Sequence, residues 1–240
     1  MPSGSGDAAC SSGTRTLRRR CLVLDHDDTA VNSTPTIHYP AYCQALRTLR
    51  PGAAPPTLEG FYRILQRGFA KHLRSELWLS PAEVSEEERI WRRFVEERVP
   101  PFHQGVIEVL RDFQGLGGIL VVVSHSDPSI IRRDYAAGAP TLRLADVYGW
   151  DEAEERRKPS AYPLVQTMAR HALAPADILV VDDLLPGAIM ARGAGCVAAA
   201  AGWAHRVPDI EAAMREACEY FLESAAELRP LLVSGEGPRP

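Results

Sequence analysis

No apolar run in the chain approaches the ~20 residues that a membrane-spanning helix needs, so no membrane association is expected. The opening residues are rich in Ser and Gly and lack the apolar stretch of a secretory signal. Asp7 and the shortness of this segment count against a transit peptide, while Arg15, Arg18, Arg19 and Arg20 leave organelle import open. Cysteine is sparse: five residues (Cys10, Cys21, Cys43, Cys196 and Cys218), an odd number without a C-x-x-C pair. That excludes a disulfide framework or zinc cage and suits buried thiols in a reducing compartment, here the cytoplasm. An excess of positive charge is also missing. With 27 Lys and Arg against 31 Asp and Glu the formal charge is −4, which argues against nucleic acid as a partner. No internal repeat is present. What remains is 240 residues of ordinary soluble composition, 45% hydrophobic and 24% charged, enough for one core and a modest insertion. Residues 1–16 and 235–240 read as disordered tails.

Asp25-His26-Asp27-Asp28-Thr29 follows directly on the apolar stretch Cys21-Leu22-Val23-Leu24. Residues i and i+2 of an extended segment point to the same side, so Asp25 and Asp27 can converge on one reacting group just past a strand. Such a pair suits phosphoryl chemistry: one carboxylate attacks phosphorus, and the other protonates the leaving alcohol and later activates water. Two carboxylates this close repel each other unless a cation lies between them, and Mg2+ is the hard ion held by carboxylates, water and phosphate. In isolation, a solvated turn after a buried strand would look the same.

Three further constellations follow. Ile119-Leu120-Val121-Val122-Val123 reads as a buried parallel strand and ends at Ser124-His125-Ser126, where a hydroxyl and main-chain amides can hold phosphate oxygens. Lys158, within Arg156-Arg157-Lys158-Pro159, offers an ammonium to neutralise Asp25 and a phosphoryl group. Ile178-Leu179-Val180-Val181 leads into Asp182-Asp183. Ligands of open α/β sheets bind at the carboxyl ends of the strands, so these strands aim acid, hydroxyl and acid at one crevice.

In order and spacing, these four motifs resemble those of the haloacid dehalogenase-like superfamily of hydrolases: D-x-D-x-T, a Ser or Thr after the second core strand, a Lys, and an acidic pair. The resemblance spans about residues 20–232. It implies an α/β fold, a Rossmann-like doubly wound parallel sheet core with an inserted α-helical cap domain, and a capped phosphatase of the phosphoglycolate phosphatase or beta-phosphoglucomutase-like type. It makes Asp25 the nucleophile, Asp27 the acid/base and Lys158 the charge-neutralising lysine, with Ser124, His125 and Lys158 binding the substrate phosphate. Mg2+ would be held by Asp25, Asp27 through its main-chain carbonyl, and Asp183. Asp182 is either a further metal ligand or a group that orients Lys158 or a water. Two positions depart from the family pattern. Asp28 stands where Gly is common, facing solvent or adding charge near the metal, and Gly187 aligns where many relatives carry a second acid. The expected activity is Mg2+-dependent hydrolysis of a small phosphorylated metabolite through an aspartyl-phosphate, by a monomer or weak homodimer. A phosphomutase of the same fold and a catalytically silent binding protein are the alternatives.

About 95 residues separate the first two motifs, too many for a single crossover helix. The spacing of Phe61, Ile64, Leu65, Phe69 and Leu73 predicts a helix over 58–75 capped by Thr57, and Ser80-Pro81 starts a second that Pro100-Pro101 ends. The resemblance makes residues 37–102 the cap, between core segments 17–36 and 103–234, with hinges near 33–38 and 100–103. Phe61, Tyr62, Phe69, Trp78, Trp91 and Phe94 read as cap core, and His38, His72 and Arg74 as packing or surface residues. Beyond the cap, predicted helices at 104–114, 127–137, 160–171, 186–193, 209–218 and 224–232 alternate with strands, the later ones at 146–149, 178–181, 196–200 and 220–222.

Overall fold

Leu22 and Leu24 face one way from the first apolar strand and Cys21 and Val23 the other, so this strand needs cover on both sides. The fold supplies it. The structure, a computed structural model, describes residues 15–235; of the tails expected at 1–16 and 235–240, residues 1–14 and 236–240 lie outside the described residues. Its strands are β1 (Thr16–Leu17), β2 (Cys21–Leu24), β3 (Ile119–Val123), β4 (Asp146–Tyr148), β5 (Ile178–Asp182), β6 (Val197–Ala201), β7 (Tyr220–Leu222) and β8 (Val233–Ser234). Six of them form a parallel sheet in the order β4-β3-β2-β5-β6-β7, and β1 pairs with β8 antiparallel. Thr16 therefore belongs to the ordered chain, paired with Ser234, and not to the tail assigned to 1–16.

Helices α1 (Tyr39–Leu49), α2 (Leu58–Arg67), α3 (Phe69–Lys71) and α4 (Pro81–Glu97) form the cap inserted between β2 and β3. The sheet is accompanied by α5 (Val106–Gly115), α6 (Pro128–Gly138), α7 (Tyr162–His171), α8 (Leu185–Gly193), α9 (Pro208–Ala217) and α10 (Arg229–Leu232). On one face Leu22, Leu24, Leu120, Val122 and Leu179 pack against Leu110 and Phe113 of α5 and Ile131 of α6. On the other, Val23, Val121, Val123 and Val180 meet Leu164 of α7 and Met190 of α8. Burial of each large apolar side chain contributes about 1.5–3 kcal/mol. Leu24 is in register with both Val122 and Val181, so β2, β3 and β5 end at one level. Among the described residues no helix is long and apolar enough to cross a membrane, and Cys21, Cys43 and Cys196 are buried free thiols.

The cap departs from expectation in three places. Helix α1 has no counterpart among the expected elements, although Tyr42, Ala45 and Leu46 form a buried i, i+3, i+4 face. The helix expected over 58–75 breaks at Gly68, whose φ of +104° no helix admits; the chain resumes as α3 and a π-helical turn at His72–Glu76. Trp78 is not cap core, being 78% exposed. Outside the cap, the helix expected over 224–232 is a 3-10 turn at Ala225–Leu228 followed by α10. Helix α4 begins as the sequence suggests, with Glu83 N–H donating to Ser80 Oγ at 3.3 Å and Ser80 N–H to Glu83 Oε2 at 2.8 Å.

Chain entry to and exit from the cap run side by side. Val31 bridges Phe102 antiparallel, Asn32 N–H donates to the Pro101 carbonyl at 2.9 Å, and His103 N–H to that of Ala30 at 3.0 Å. The cap rests on the core through Arg63 of α2, forked onto Asp209 at 2.7–3.0 Å, and through Gln66, whose Oε1 accepts from Leu185 N–H at 3.1 Å.

Glu87 lies buried on α4, where burial, aided by Glu88, raises its pKa from 4.5 to about 7. A carboxyl raised in this way costs stability once the unfolded chain ionises it, from pH 4.5 upward, and the cost stops growing above about pH 7. Glu87→Gln should therefore differ little from wild type in stability near pH 4 and gain at pH 8, by at most about 3 kcal/mol. Thermal melts at both pH values check this, and a pH-independent difference would rule it out.

Candidate active site

Because β2 and β5 end level, Asp25 N–H continues the ladder to the Val181 carbonyl at 2.9 Å and sets Asp25 beside Asp182. Lys158, on the loop before α7, reaches between them. Its Nζ donates to Asp25 Oδ1 and Asp182 Oδ2, each at 2.7 Å, with all three side chains buried. Burial works against the Lys158 charge, but Asp182 and Asp25 outweigh it and lift its pKa above the ordinary lysine value. Burial pushes Asp25 well above the carboxylate range, Lys158 opposes this, and Asp182, Asp183 and Asp27 add to it.

Asp182 is fully engaged, since its second oxygen accepts from Leu184 N–H at 3.0 Å. Asp183 is not. Its Oδ1 accepts from Thr29 Oγ1 at 3.0 Å, while Oδ2 is buried without a hydrogen-bond partner, 3.4 Å from His205 Nε2. One oxygen each from Asp25, Asp182 and Asp183 fall within 4.8 Å of one another.

Asp27 is held by four donors. Ser33 Oγ and His38 Nε2 reach Oδ1 at 2.8 Å each, and Ser126 Oγ and Ser124 Oγ reach Oδ2 at 2.5 and 3.2 Å. Trp91 Nε1–H of α4 donates to His38 Nδ1 at 3.0 Å. An indole nitrogen only donates, so Nδ1 is bare and the His38 proton sits on Nε2, directed at Asp27. Burial opposes ionisation of Asp27, yet His38, His26 and Ser126 outweigh it and keep its pKa well below the usual range. The structure thus gathers Asp25, Asp27, Ser124, Lys158, Asp182 and Asp183 at one crevice. His125 stands apart: its ring is exposed, with Nε2 against the Lys158 main-chain carbonyl at 3.0 Å.

The profile of the haloacid dehalogenase-like hydrolases matches residues 20–195. The chain belongs to that family. It is 24% identical over 192 residues to a phosphoglycolate phosphatase of Thiobacillus denitrificans, covering 74% of this chain and 80% of that protein. A predicted phosphoglycolate phosphatase from Haemophilus somnus superposes with a TM-score of 0.74 at 17% identity, over 89% of this chain and 98% of that one. Rhodobacter sphaeroides CbbY in complex with xylulose-(1,5)bisphosphate gives 0.67 at 17% identity, over 88% and 96%.

The two departures from the family pattern now have physical reasons. Asp28 has φ +59°, a left-handed conformation that favours Gly and that Asp tolerates. It is buried, not solvent-facing, and accepts Thr34 N–H at 3.0 Å. Burial, with Asp183 nearby, raises its pKa to about 7. At Gly187 any side chain would collide with the Asp182 carboxylate, so a second acid has no room there. Ser33, Ser126 and Thr29 lie within or beside the motifs without a role that the motifs assign, and His38, expected to be a packing or surface residue, meets Asp27 instead. His205 carried no local signal.

The chain has two lysines, Lys71 and Lys158. Lys71 is exposed and Lys158 buried behind its carboxylates. Under mild reductive methylation Lys71 should react and Lys158 remain protected. Gly187→Ala should displace Asp182 and expose Lys158 to the reagent, seen as a second dimethyl-lysine by peptide mass analysis. Equal protection in the variant would show that Asp182 does not fix the ammonium.

Proposed function

We propose that this protein is a Mg2+-dependent phosphatase that hydrolyses a small phosphomonoester through an aspartyl-phosphate on Asp25. The observation that carries this reading is the pairing of Asp25, tied to Lys158, with Asp27, tied to His38 and three hydroxyls, at the mouth of one sheet. The names of the Thiobacillus and Haemophilus relatives, and the bisphosphate on CbbY, support a small phosphorylated acid or sugar as substrate. Residues 37–102 would act as the cap over a core made of 17–36 and 103–234.

In the first step an Asp25 oxygen forms a bond to phosphorus while the bond to the substrate alkoxide breaks, and Asp27 gives the alkoxide a proton. A dianionic phosphate beside Asp27 raises its proton affinity, which fits it to carry that proton despite its donors. Lys158 and the loop Ser124-His125-Ser126 would stabilise the oxygens where charge concentrates. Of the four donors on Asp27, Ser124 makes the longest bond, 3.2 Å, and is the one placed to turn to a phosphate oxygen. In the second step Asp27 takes a proton from water, which attacks the acyl-phosphate and releases Asp25.

The donor set fits magnesium: all ligands are oxygens, Asp183 Oδ2 is buried without a partner, and burial holds Asp25 in need of a counter-charge. Asp25, Asp183 and the main-chain carbonyl of Asp27 would hold the ion, leaving Asp182 to Lys158. When bound, it supplies charge neutralisation and Lewis acidity toward phosphate.

Asp25→Asn should abolish phosphate release from p-nitrophenyl phosphate and form no hydroxylamine-sensitive phosphoprotein. Asp27→Asn should accumulate that phosphoprotein, and its penalty should be smaller for the aryl ester than for an alkyl phosphate, because phenolate needs little protonation. Near wild-type turnover by Asp25→Asn would remove the proposal. Independently, Mg2+ at a hundredfold its Kd should stabilise the fold by about 2.7 kcal/mol, and Asp183→Asn should lose most of that shift in a thermal titration.

A further inference from the structure

Helix α4 ends at Glu97 with carbonyls that have no partner within the helix. Arg133 of α6 supplies one. Its Nη1 donates to the Val95 carbonyl at 2.6 Å and its Nη2 to that of Arg98 at 2.8 Å. A cation there also complements the negative end of the helix dipole. The same guanidinium turns inward, giving Asp134 Oδ1 two hydrogen bonds, from Nε at 2.9 Å and Nη2 at 2.6 Å. Asp134 is 1% exposed, and its other oxygen lies 3.2 Å from Nε2 of His26, itself 1% exposed.

His26 is the residue between Asp25 and Asp27. Its carbonyl accepts Ala30 N–H at 2.9 Å and Val31 N–H at 3.1 Å, closing the turn that leads into the neck at Val31 and Phe102. A continuous hydrogen-bonded line thus runs from the end of the cap helix through Arg133, Asp134 and His26 to the loop bearing both acids. Trp91, which sets the His38 tautomer, lies about two turns back along the same helix. Arg98 stands two residues before Pro100, so Arg133 grips α4 at its pivot end.

We propose that Arg133 is a positioning residue for the phosphatase reaction proposed above, and the inference rests on that reading. It fixes the end of α4 so that Trp91 meets His38, and through Asp134 and His26 it sets the relative placement of Asp25 and Asp27. Only a planar fork of donors satisfies two carbonyls and a carboxylate together; a lysine, with three donors on one atom, does not.

The test compares wild type, Arg133→Ala, Arg133→Lys and Asp134→Asn on p-nitrophenyl phosphate with Mg2+. Arg133→Ala should lose kcat by about tenfold or more with KM little changed, since displaced catalytic groups cost turnover. Millimolar guanidinium should restore part of that kcat without moving the melting temperature. Arg133→Lys should not restore it, and guanidinium should not help Asp134→Asn. Wild-type kcat in Arg133→Ala, or a loss that guanidinium leaves untouched, would overturn the proposal. Hydrogen exchange gives an arm independent of activity: Arg133→Ala should speed exchange in residues 95–103 and in 26–31 together. If wild type released no phosphate, the phosphatase reading would fall. Unchanged exchange at 26–31 would by itself overturn the coupling.

Discussion

Asp25, Asp27, Asp182 and Asp183 are forced into one poorly hydrated space by the level ends of β2 and β5, and Lys158 is the charge that lets two of them stay there. An unpaired buried charge costs several kcal/mol, and breaking a buried pair by deleting one partner costs about 3–5 kcal/mol. One ammonium does not balance four carboxylates. Asp27 is relieved by hydroxyls and an imidazole, while Asp183 keeps one buried carboxylate oxygen without a hydrogen-bond partner. The sheet register that stabilises the core thus also gathers a buried cluster of carboxylates.

Three histidines carry that constraint outward into the cap. His38 stands between Asp27 and Trp91 of α4. His205 stands between Asp183 and the ring of Tyr62 on α2, with centroids 4.5 Å apart. His26 reaches the end of α4 through Asp134 and Arg133. Each joins an acid, or the acid-bearing loop, to a cap element, so cap packing and site geometry are not separable quantities. The buried Asp28 adds to this by accepting the Thr34 N–H, on the stretch of chain that leads into the cap.

Much of this was legible in the sequence because the strands that matter are buried on both faces and read as unbroken apolar runs. Their last residues are therefore easy to place, and with them Asp25, Ser124, Asp182 and Asp183. Lys158 was legible from motif order. Less visible were features set at long range or by single backbone angles. Nothing local to His205 points to Asp183, and His38 looked like a packing residue until the neck folded it onto Asp27. Gly68 sits in a periodic apolar pattern that continues past it, so the break is hidden. Trp78 is turned outward at φ +52°, against the amphipathic pattern around it. The Thr16–Leu17 strand is too short to carry an alternating signature.

The neck has a meaning beyond the site. Because Val31 and Phe102 face each other in an antiparallel bridge, held by hydrogen bonds of the residues flanking them, the core sees the cap as a closed loop whose two ends coincide. The entropy of closing such a loop grows only with the logarithm of its length, about 0.6 kcal/mol for each doubling. Roughly seventy inserted residues therefore burden the core little more than half that number would. A segment joined in this way can lengthen or shorten while the sheet beneath it keeps its strands and their register.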